Sequence, residues 1–388
     1  MSAATATRAT TLTASAGHLA DRIGWVATHT PTICTVPVLA GVHLAITPDG
    51  TVATTGDYDT WARADLDIDA DGDAQVVLPA KLFASLLATL PRTLMVTLAI
   101  SGDRVTVSCG ATNASIRTLP AEDFPTLAAW PDAIGTMAAA DLAEATRQVV
   151  DAADTDSSYP GMCGIELTLS ETGLMATATD RYRFALATAP WTPVLANDDQ
   201  EHKALVPAVL LNQAAKAMAK TGDSVGIGLA TGEGTADVLA LYGDGLRLCT
   251  RLISAESIGW DRARGLIPDT ATEVCVATAV LADAIKRVGL FAARGTAVRI
   301  TITPGGLVVS AGADDESAAS EKVDAQVDTD QDEIKLAVRP DYLLLALTTP
   351  RCERMRLSIG GATKPLLVRT DDDEETGYMH IVMPIRQP

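Results

Sequence analysis

Apolar residues recur along the chain with the spacing of amphipathic helices, and the same kind of helix is written three times. The members of each apolar stripe share one helix face and are Leu19, Ile23 and Val26, then Leu142, Ala145 and Val149, then Leu281, Ala284, Ile285 and Val288. Residues at i, i+3, i+4 and i+7 lie on one side of a helix. Each stripe therefore predicts a helix that packs against a core.

A second helix follows a proline in each set. Pro79 and Pro207 are followed by apolar residues at the same five offsets, 3, 4, 7, 8 and 11, and Pro340 is followed by leucines at offsets 3, 4 and 7. Proline is tolerated at the first helical position because its missing N–H would have no helical partner there. The pattern predicts that each proline begins a helix.

Alternating strand patterns lie between these helices, and one hairpin recurs with constant spacing. Its marker residues are Pro37, Gly41, Gly50 and Asp57 in the first copy and Pro160, Gly164, Gly173 and Asp180 in the second. Residues 298–309 echo residues 42–53 and give a third, partial copy. Three copies of one hairpin predict three copies of one domain. Each domain is then an α+β unit of two βαβββ-like halves with antiparallel sheets and helices on one face.

A new copy of the repeat begins near Pro131 and another near Pro268. We therefore expect domains at residues 17–132, 133–267 and 268–388. Residues 1–16 are rich in alanine and threonine and lack the apolar centre of a signal peptide. They are expected to be a disordered lead-in.

Composition narrows the class of protein. A chain of 388 residues with 47% hydrophobic residues can fill two or three cores. Its net charge of -19 excludes a surface that is basic throughout, although a local basic face can coexist with an acidic exterior. The six cysteines are scattered without a C-x-x-C pair, which favours free thiols in a reducing cytoplasm. No apolar run reaches membrane-spanning length.

Few motifs suggest chemistry. Residues 65–73 alternate aspartate with apolar residues and resemble a calcium loop, but Leu78 stands where the twelfth-position glutamate is needed. We interpret this segment as a strand with one solvent-exposed face. The five histidines show no metal-ligand spacing, and neither a nucleophile elbow nor a phosphate loop is present. We expect no catalytic residues, no metal and no cofactor.

The segment from Thr179 to Phe184 places basic groups beside aromatic rings at a predicted strand end. It is either a charged edge that blocks strand addition or the rim of a pocket for a partner's apolar side chains. The C-terminus favours the pocket. Its apolar residues Met383, Pro384 and Ile385 occupy a tail that would otherwise be exposed, and tails are usually polar.

These segments resemble the β sliding clamp of bacterial DNA polymerase III. The matching motifs are T-L-P-A-E-D-F-P at residues 118–125, A-T-D-R-Y-R-F at 178–184 and M-P-I-R at 383–386. Together with the threefold repeat, the resemblance covers nearly all of residues 17–388. It implies a DNA clamp fold, in which two copies join head to tail into a ring with helices lining the hole and antiparallel sheets outside.

The resemblance also implies a function. The protein would be a non-catalytic processivity factor that encircles double-stranded DNA without reading its sequence, because contacts to the backbone carry no sequence information. It would act in the cytoplasm, at the nucleoid, with no membrane partner. Its protein partners would be a second copy, the DNA polymerase III alpha subunit, the clamp loader and other proteins that carry a clamp-binding motif.

In this family a groove between the second and third domains binds a short peptide motif. Residue by residue, the resemblance assigns this groove to Met162, Thr179, Arg181, Tyr182, Arg183, Phe184, Leu266, Met383, Pro384, Ile385 and Arg386. The apolar members would bury leucine or phenylalanine anchors, and Arg183 and Arg386 would hold the motif's backbone or acidic groups.

The resemblance likewise implies a dimer interface and a DNA channel. The interface residues would be Ala114, Ile116, Leu290 and Phe291. The cations facing DNA would be Arg22, Arg147, Lys216, Lys220, Lys286 and Arg287.

The chain departs from the family pattern at several positions. Arg181 stands where the family usually has glycine, Asp261 replaces a pocket proline, and Ala114 replaces an interface aromatic residue. These departures keep two alternatives open. One is a divergent clamp paralogue that serves repair or inhibitor resistance. The other is a monomeric peptide-binding scaffold that does not encircle DNA.

Overall fold

A computed structural model of the chain describes residues 10–31, 33–126, 129–155, 158–194, 201–232, 237–267, 272–292, 297–312, 317–371 and 377–385. The backbone divides into two compact units, residues 1–139 with 216–251 and residues 140–215 with 252–388. Within the described ranges, no helix is both long and apolar enough to cross a membrane. The six cysteines carry free thiols.

The first sequence copy contributes two helices and the strands around them. In chain order these are β1 (Thr10–Ser15), α1 (Ala16–Thr28), β2 (Gly41–Thr47), β3 (Gly50–Gly56), β4 (Thr60–Leu66), β5 (Asp69–Ala70), β6 (Ala74–Pro79), α2 (Ala80–Thr89), β7 (Met95–Ser101), β8 (Arg104–Cys109) and β9 (Thr112–Arg117).

The second copy follows the same order. Its elements are β10 (Ala133–Ala138), α3 (Ala139–Val149), β11 (Gly164–Ser170), β12 (Gly173–Thr179), β13 (Arg183–Ala189), β14 (Thr192–Pro193), β15 (His202–Pro207), α4 (Ala208–Thr221), β16 (Ser224–Ala230), β17 (Val238–Tyr242) and β18 (Leu246–Arg251).

A short helix, α5 (Trp260–Arg264), precedes the third copy. The elements of that copy are β19 (Thr272–Ala277), α6 (Thr278–Gly289), β20 (Val298–Thr303), β21 (Gly306–Gly312), β22 (Ala318–Val323), β23 (Ala325–Asp328), β24 (Ile334–Val338), α7 (Pro340–Thr348), β25 (Arg354–Ile359), β26 (Leu366–Thr370) and β27 (Tyr378–Val382).

Each copy is one strand–helix–three-strand half written twice. The strand before each helix pairs with the first of the three strands of the other half: β1 with β7 and β6 with β2, then β10 with β16 and β15 with β11, then β19 with β25 and β24 with β20. Each half therefore contributes one strand to the sheet of the other half. The predicted α+β architecture of paired βαβββ-like halves is confirmed.

The strands form antiparallel sheets, and two of these sheets join neighbouring copies. In the first unit, one sheet has the order β5-β1-β7-β8-β9, and a second runs β10-β16-β17-β18-β4-β3-β2-β6. In the second unit, a nine-stranded sheet runs β15-β11-β12-β13-β27-β26-β25-β19-β23, and a four-stranded sheet runs β22-β21-β20-β24. The joining pairs are β4 with β18 and β13 with β27.

The predicted apolar stripes face the sheets. Leu19 and Ile23 of α1 are fully buried. In the third copy, Leu281 and Ile285 of α6 join Leu343 of α7 and the strands beneath them in one apolar cluster. Full burial of such a side chain stabilises the fold by about 1.5–3 kcal/mol, so packing on the sheet holds these short helices in place.

Two details differ from the sequence-based predictions. The expected disordered lead-in is wrong for residues 10–15, which form β1 because Leu12 and Ala14 alternate into the core at 1% and 3% exposure. Pro340 begins α7 as predicted. Pro79 and Pro207 instead end β6 and β15, and their helices begin one residue later. Pro79 has an extended ψ of 110°, which places it just outside the helix.

Candidate functional site

Four segments of the second unit meet around the start of β13, and we call this region the groove. They are residues 159–162, 179–184, 260–267 and 378–385. The Arg181 guanidinium lies over the Tyr159 ring, 4.7 Å from its centroid. The rings of Phe184 and Trp260 are 6.2 Å apart. The Met383 N–H donates to the Tyr182 carbonyl at 2.8 Å, so the C-terminal segment is anchored to the turn before β13.

A turn built on Asp180 shapes this region. The Asp180 carboxylate accepts hydrogen bonds from the backbone N–H groups of Tyr182 and Arg183, each at 3.0 Å, and from Arg183 Nε at 3.0 Å. The Thr179 hydroxyl donates to the Arg183 carbonyl at 2.6 Å. Aspartate and threonine close turns in this way because their short side chains reach nearby backbone groups. The turn presents Arg181 and Tyr182 outward, with Tyr182 57% exposed.

The turn holds one residue in the left-handed backbone region. Arg181 has φ of 77°, and Tyr58, at the equivalent place in the first copy, has φ of 74°. That conformation costs roughly 1–2 kcal/mol for a residue with a Cβ. Asp57 also accepts backbone N–H groups, those of Asp59 at 3.2 Å and Thr60 at 2.8 Å. The aspartate of each copy therefore holds a strained turn in place.

Arg183 is largely enclosed by the fold. Its side chain is 11% exposed in its ion pair with Asp180, and its guanidinium lies 4.5 Å from the Tyr342 ring centroid. Arg339 lies over the same ring at 4.4 Å. Arg183 Nη1 is buried and makes no hydrogen bond with the described residues. The sequence pattern does not single out Tyr342 and Arg339, although both lie within two residues of Pro340, where a helix is predicted to begin.

The apolar groove residues divide into buried and accessible ones. Phe184 is only 5% exposed, because α5 covers it and Ala263 packs against it. Leu266, just after α5, is 47% exposed. Met162, Met383, Pro384 and Ile385 are half-buried, whereas Thr179 is buried. The Ile385 N–H donates to the Ala337 carbonyl at 2.7 Å. Arg386 lies outside the described residues.

A buried polar pair lies behind the groove on β27. The Tyr378 hydroxyl donates to the Ala346 carbonyl at 3.1 Å and lies 3.0 Å from His380 Nδ1. Burial, and secondarily the charge of Arg183, lowers the pKa of His380 to about 3. Burial also raises the pKa of Tyr378 above its ordinary value. Both side chains are therefore neutral near pH 7.

Several of the predicted channel cations are engaged within the protein. Arg147 bonds Glu144 and donates to the Thr349 carbonyl at 2.8 Å. Other partners are Asp283 for Lys286 at 3.2 Å, Glu321 for Arg287 at 2.6 Å, and the Asp244 carbonyl for Arg22 at 2.9 Å. Lys216 and Lys220 of α4 are exposed and make no ion pair with the described residues.

The predicted interface residues lie in two places. Ala114 and Ile116 are on β9, at the edge of its five-stranded sheet, and Ile116 is buried within its own unit. Leu290 and Phe291 follow α6 and are exposed by 83% and 43%. An exposed pair of large apolar residues is typical of an interaction site when it forms part of a contiguous patch.

Comparison with known proteins gives a consistent result over the whole chain. Residues 10–128, 136–257 and 264–386 match the N-terminal, central and C-terminal domain families of the DNA polymerase III beta subunit. The beta sliding clamp of Streptomyces coelicolor is 32% identical over 373 residues, covering 95% of this chain and 97% of that protein. The beta sliding clamp homolog GriR of Streptomyces muensis is 28% identical over 373 residues, with the same coverage of both chains.

The fold is likewise that of a sliding clamp. The crystal structure of the DNA polymerase sliding clamp from Bacillus subtilis superposes with a TM-score of 0.87 at 22% identity, covering 98% of this chain and all of that one. The crystal structure of the DNA polymerase III beta subunit from Thermotoga maritima gives a TM-score of 0.85 at 22% identity, with the same coverage.

Replacing the turn aspartate tests how the groove is held. We expect Asp180→Ala to lower the free energy of unfolding by about 3 kcal/mol, because it leaves a nearly buried guanidinium without its partner. Asp57→Ala is the matched control and should cost only about 1 kcal/mol, since that carboxylate bonds backbone N–H groups alone. Equilibrium denaturation of both variants measures the difference, and equal losses would contradict the role assigned to the Asp180–Arg183 pair.

Acid should destabilise the fold through His380. Its pKa is about 3 in the folded chain and about 6.5 when unfolded, so its stabilising contribution is complete above pH 6.5 and is lost as the pH falls towards 3. We expect a loss of about 2 kcal/mol from this group by pH 5. His380→Asn should be less stable than the parent at pH 8, and this gap should narrow by that amount at pH 5. Parallel stability curves in denaturant titrations would contradict the assignment.

Proposed function

Because the chain belongs to the beta subunit family of bacterial DNA polymerase III, the beta sliding clamps, we propose that two copies form a ring around duplex DNA and tether polymerase and repair proteins through the groove. Members of this family are non-catalytic processivity factors of DNA polymerase III. The chain would raise processivity by topological tethering, in the cytoplasm at the nucleoid. Its domains would span residues 17–132, 133–267 and 268–388, with β1 added to the first.

The ring proposal rests on two strands that lie at the edges of their sheets. Within each unit, the last strand of one meander pairs with the last strand of the next copy: β4 with β18, and β13 with β27. By the repeat, β22 is the equivalent of β4 and β13, and β9 is the equivalent of β18 and β27. Both β22 and β9 lie at the edges of their sheets. We infer that β22 of one copy pairs with β9 of a second copy, and the reciprocal pair then closes a two-fold ring.

Side chains near these edges support the same interface. Leu290 and Phe291 are exposed in the described chain and would be covered by the second copy, beside Ala114 and Ile116 of its β9. Glu321 on β22 holds Arg287 of α6, which braces the helix against the edge strand. Covering large exposed apolar residues with a second chain would stabilise the dimer, because the apolar surface is removed from water.

The groove would bind an extended peptide by its apolar anchors. Tyr182 and Leu266 offer accessible apolar surface, and half-buried Met162 and Met383 lie in neighbouring segments. Apolar anchors in such pockets supply most of the energy of peptide recognition. Phe184 would support α5 from beneath the groove, since its ring is already covered.

DNA would be held by general electrostatics. Lys216 and Lys220 are the cations of the proposed set that are exposed without a described ion pair. Neighbouring carboxylates neutralise Arg147, Lys286 and Arg287, so these side chains attract phosphates less strongly. Weak contacts without sequence reading suit a protein that slides along DNA.

A divergent clamp paralogue is the second candidate function. Arg181 and Asp261, two of the departures from the family pattern, lie in segments that form the groove. The similarity to the homolog GriR extends over 95% of this chain. In this case the ring and groove would be retained, and the set of partners would differ.

Removing accessible apolar surface tests the groove. We expect Tyr182→Ala combined with Leu266→Ala to lower the affinity for a fluorescent clamp-motif peptide by at least about tenfold, because each side chain contributes about 1 kcal/mol or more to the binding free energy. Tyr58→Ala is the matched control, since Tyr58 is an exposed tyrosine at the equivalent turn of the first copy. Fluorescence anisotropy measures affinity. An unchanged double variant, or an equal effect of the control, would refute the site.

Placing charge at the proposed edge tests the ring. Leu290→Asp with Phe291→Asp should convert the dimer into monomers in analytical ultracentrifugation, because burying two carboxylates without partners is costly. Val280→Asp, on an exposed position of α6, should leave the dimer intact.

The ring proposal also predicts how the parent protein is retained on DNA, because a closed ring can leave DNA only at a free end. The loaded parent ring should stay on nicked circular DNA and slide off the ends of linear DNA. A parent chain that sediments as a monomer, with no such difference, would instead identify a scaffold that does not encircle DNA.

A further inference from the structure

Three arginines flank the groove, and the apolar anchoring proposed above makes no use of their charges. Arg181 leaves the turn before β13, and Arg262 and Arg264 lie on α5. All three are exposed, and none forms an ion pair with any residue that the structure describes. We call them the arginine rim.

The absence of acidic partners at this rim is unusual for the chain, which carries 49 acidic residues against 30 lysines and arginines. Most described arginines of the second unit lie within 4 Å of a carboxylate: Arg147, Arg183, Arg287, Arg339, Arg354, Arg356 and Arg369. Outside the rim, Arg299 and Arg351 have no such carboxylate among the residues that the structure describes. Three of the five described arginines of this unit that lack an ion pair are therefore those of the rim.

The geometry places these charges around the accessible apolar residues. Ala263 packs into the cluster of Phe184, so its neighbours Arg262 and Arg264 project to either side of that contact. Arg181 lies three residues before Phe184 and rests on the Tyr159 ring. Acidic residues also lie in or near these segments, namely Asp154, Glu166, Glu256 and Asp261, and Asp180 is paired with Arg183. None of the described carboxylates lies within 4 Å of a rim guanidinium, so the three arginines keep their charge for a ligand.

Helix electrostatics do not explain this arrangement. Cations in the last turn of a helix interact favourably with its dipole, which would stabilise Arg264. α5 has only five residues, so its dipole is small, and Arg181 is not on that helix. Arg181 also keeps its side chain in a backbone conformation that glycine adopts without cost, with φ of 77°.

We propose that the groove selects peptides whose apolar anchors are flanked by aspartate or glutamate. This inference rests on the proposed peptide groove and specifies its ligand. Carboxylates next to the anchors would meet the arginine rim as they dock, and arginine pairs with carboxylates through two parallel hydrogen bonds. Charge complementarity of this kind contributes to specificity and to the rate of association.

The test compares three synthetic peptides that share two leucine anchors and one phenylalanine anchor. Their flanking residues are aspartate and glutamate, serine and asparagine, or lysine. We expect the acidic peptide to bind the full-length protein about fivefold more tightly than the neutral one at 50 mM salt, and the lysine peptide to bind most weakly. The difference should shrink at 500 mM salt, because salt screens exposed charges.

Variants separate the rim from the groove. Arg262→Gln with Arg264→Gln should reduce the preference for the acidic peptide at least about twofold and leave affinity for the neutral peptide within about twofold. Adding Arg181→Gly should remove the remaining preference, measured as the ratio of the affinities for the acidic and the neutral peptide. Arg351→Gln removes one unpaired exposed charge elsewhere in the same unit and should leave the preference intact. Circular dichroism confirms that each variant is folded.

The outcomes distinguish the two proposals. If no peptide binds the parent protein, the groove itself is refuted. If the neutral peptide binds and the acidic one is no tighter, or if the triple variant keeps the preference, the groove stands and the role of the arginine rim is overturned.

Discussion

Antiparallel pairing between β13 and β27 is the constraint on which the groove depends. The register sets Arg183 opposite Val382 and Phe184 opposite Ile381, and it brings the C-terminal residues beside the turn at Asp180. Because side chains alternate between the faces of a strand, a shift of one residue would exchange the residues that face α5 with those that face α7. The pairing of β4 with β18 repeats the arrangement in the first unit, where the Arg251 N–H donates to the Asp59 carbonyl as Met383 does to Tyr182.

The same turn occurs in the first and second copies, with different side chains around it. In both copies an aspartate binds the backbone of the following residues, and the residue after it takes a positive φ. In the first copy Trp61 follows this turn and packs with Cys249 and Phe124. In the second copy Phe184 occupies the equivalent position beneath α5. The backbone is preserved, and the exposed side chains decide what each junction offers to a partner.

Charge is distributed unevenly over this acidic chain. Most cations of the second unit are neutralised by neighbouring carboxylates, as Arg339 is by Asp341 and Arg356 by Asp371. Exposed pairs of this kind contribute little stability, about 0–1 kcal/mol each, but they reduce the positive charge available to an outside ligand. The arginines at the groove and the lysines of α4 form no ion pair within the described ranges, so they are among the groups best able to attract acidic partners.

The sequence by itself determined the repeated architecture, because helical and strand periodicity follow from which residues must be buried. Apolar stripes such as that of Leu281 and Ile285 predicted the helices, and the recurring hairpin predicted three copies of one α+β unit. The segments that form the groove were also found from sequence, through the resemblance to sliding clamps.

Only the tertiary structure decided how those segments use their side chains. It buried Phe184 beneath α5, enclosed Arg183 between Asp180 and Tyr342, and paired Arg287 with Glu321. It also made residues 10–15 a strand, because β7 supplies a partner that lies far away in sequence. Burial and ion pairing depend on contacts between distant parts of the chain, and local periodicity carries no information about such contacts.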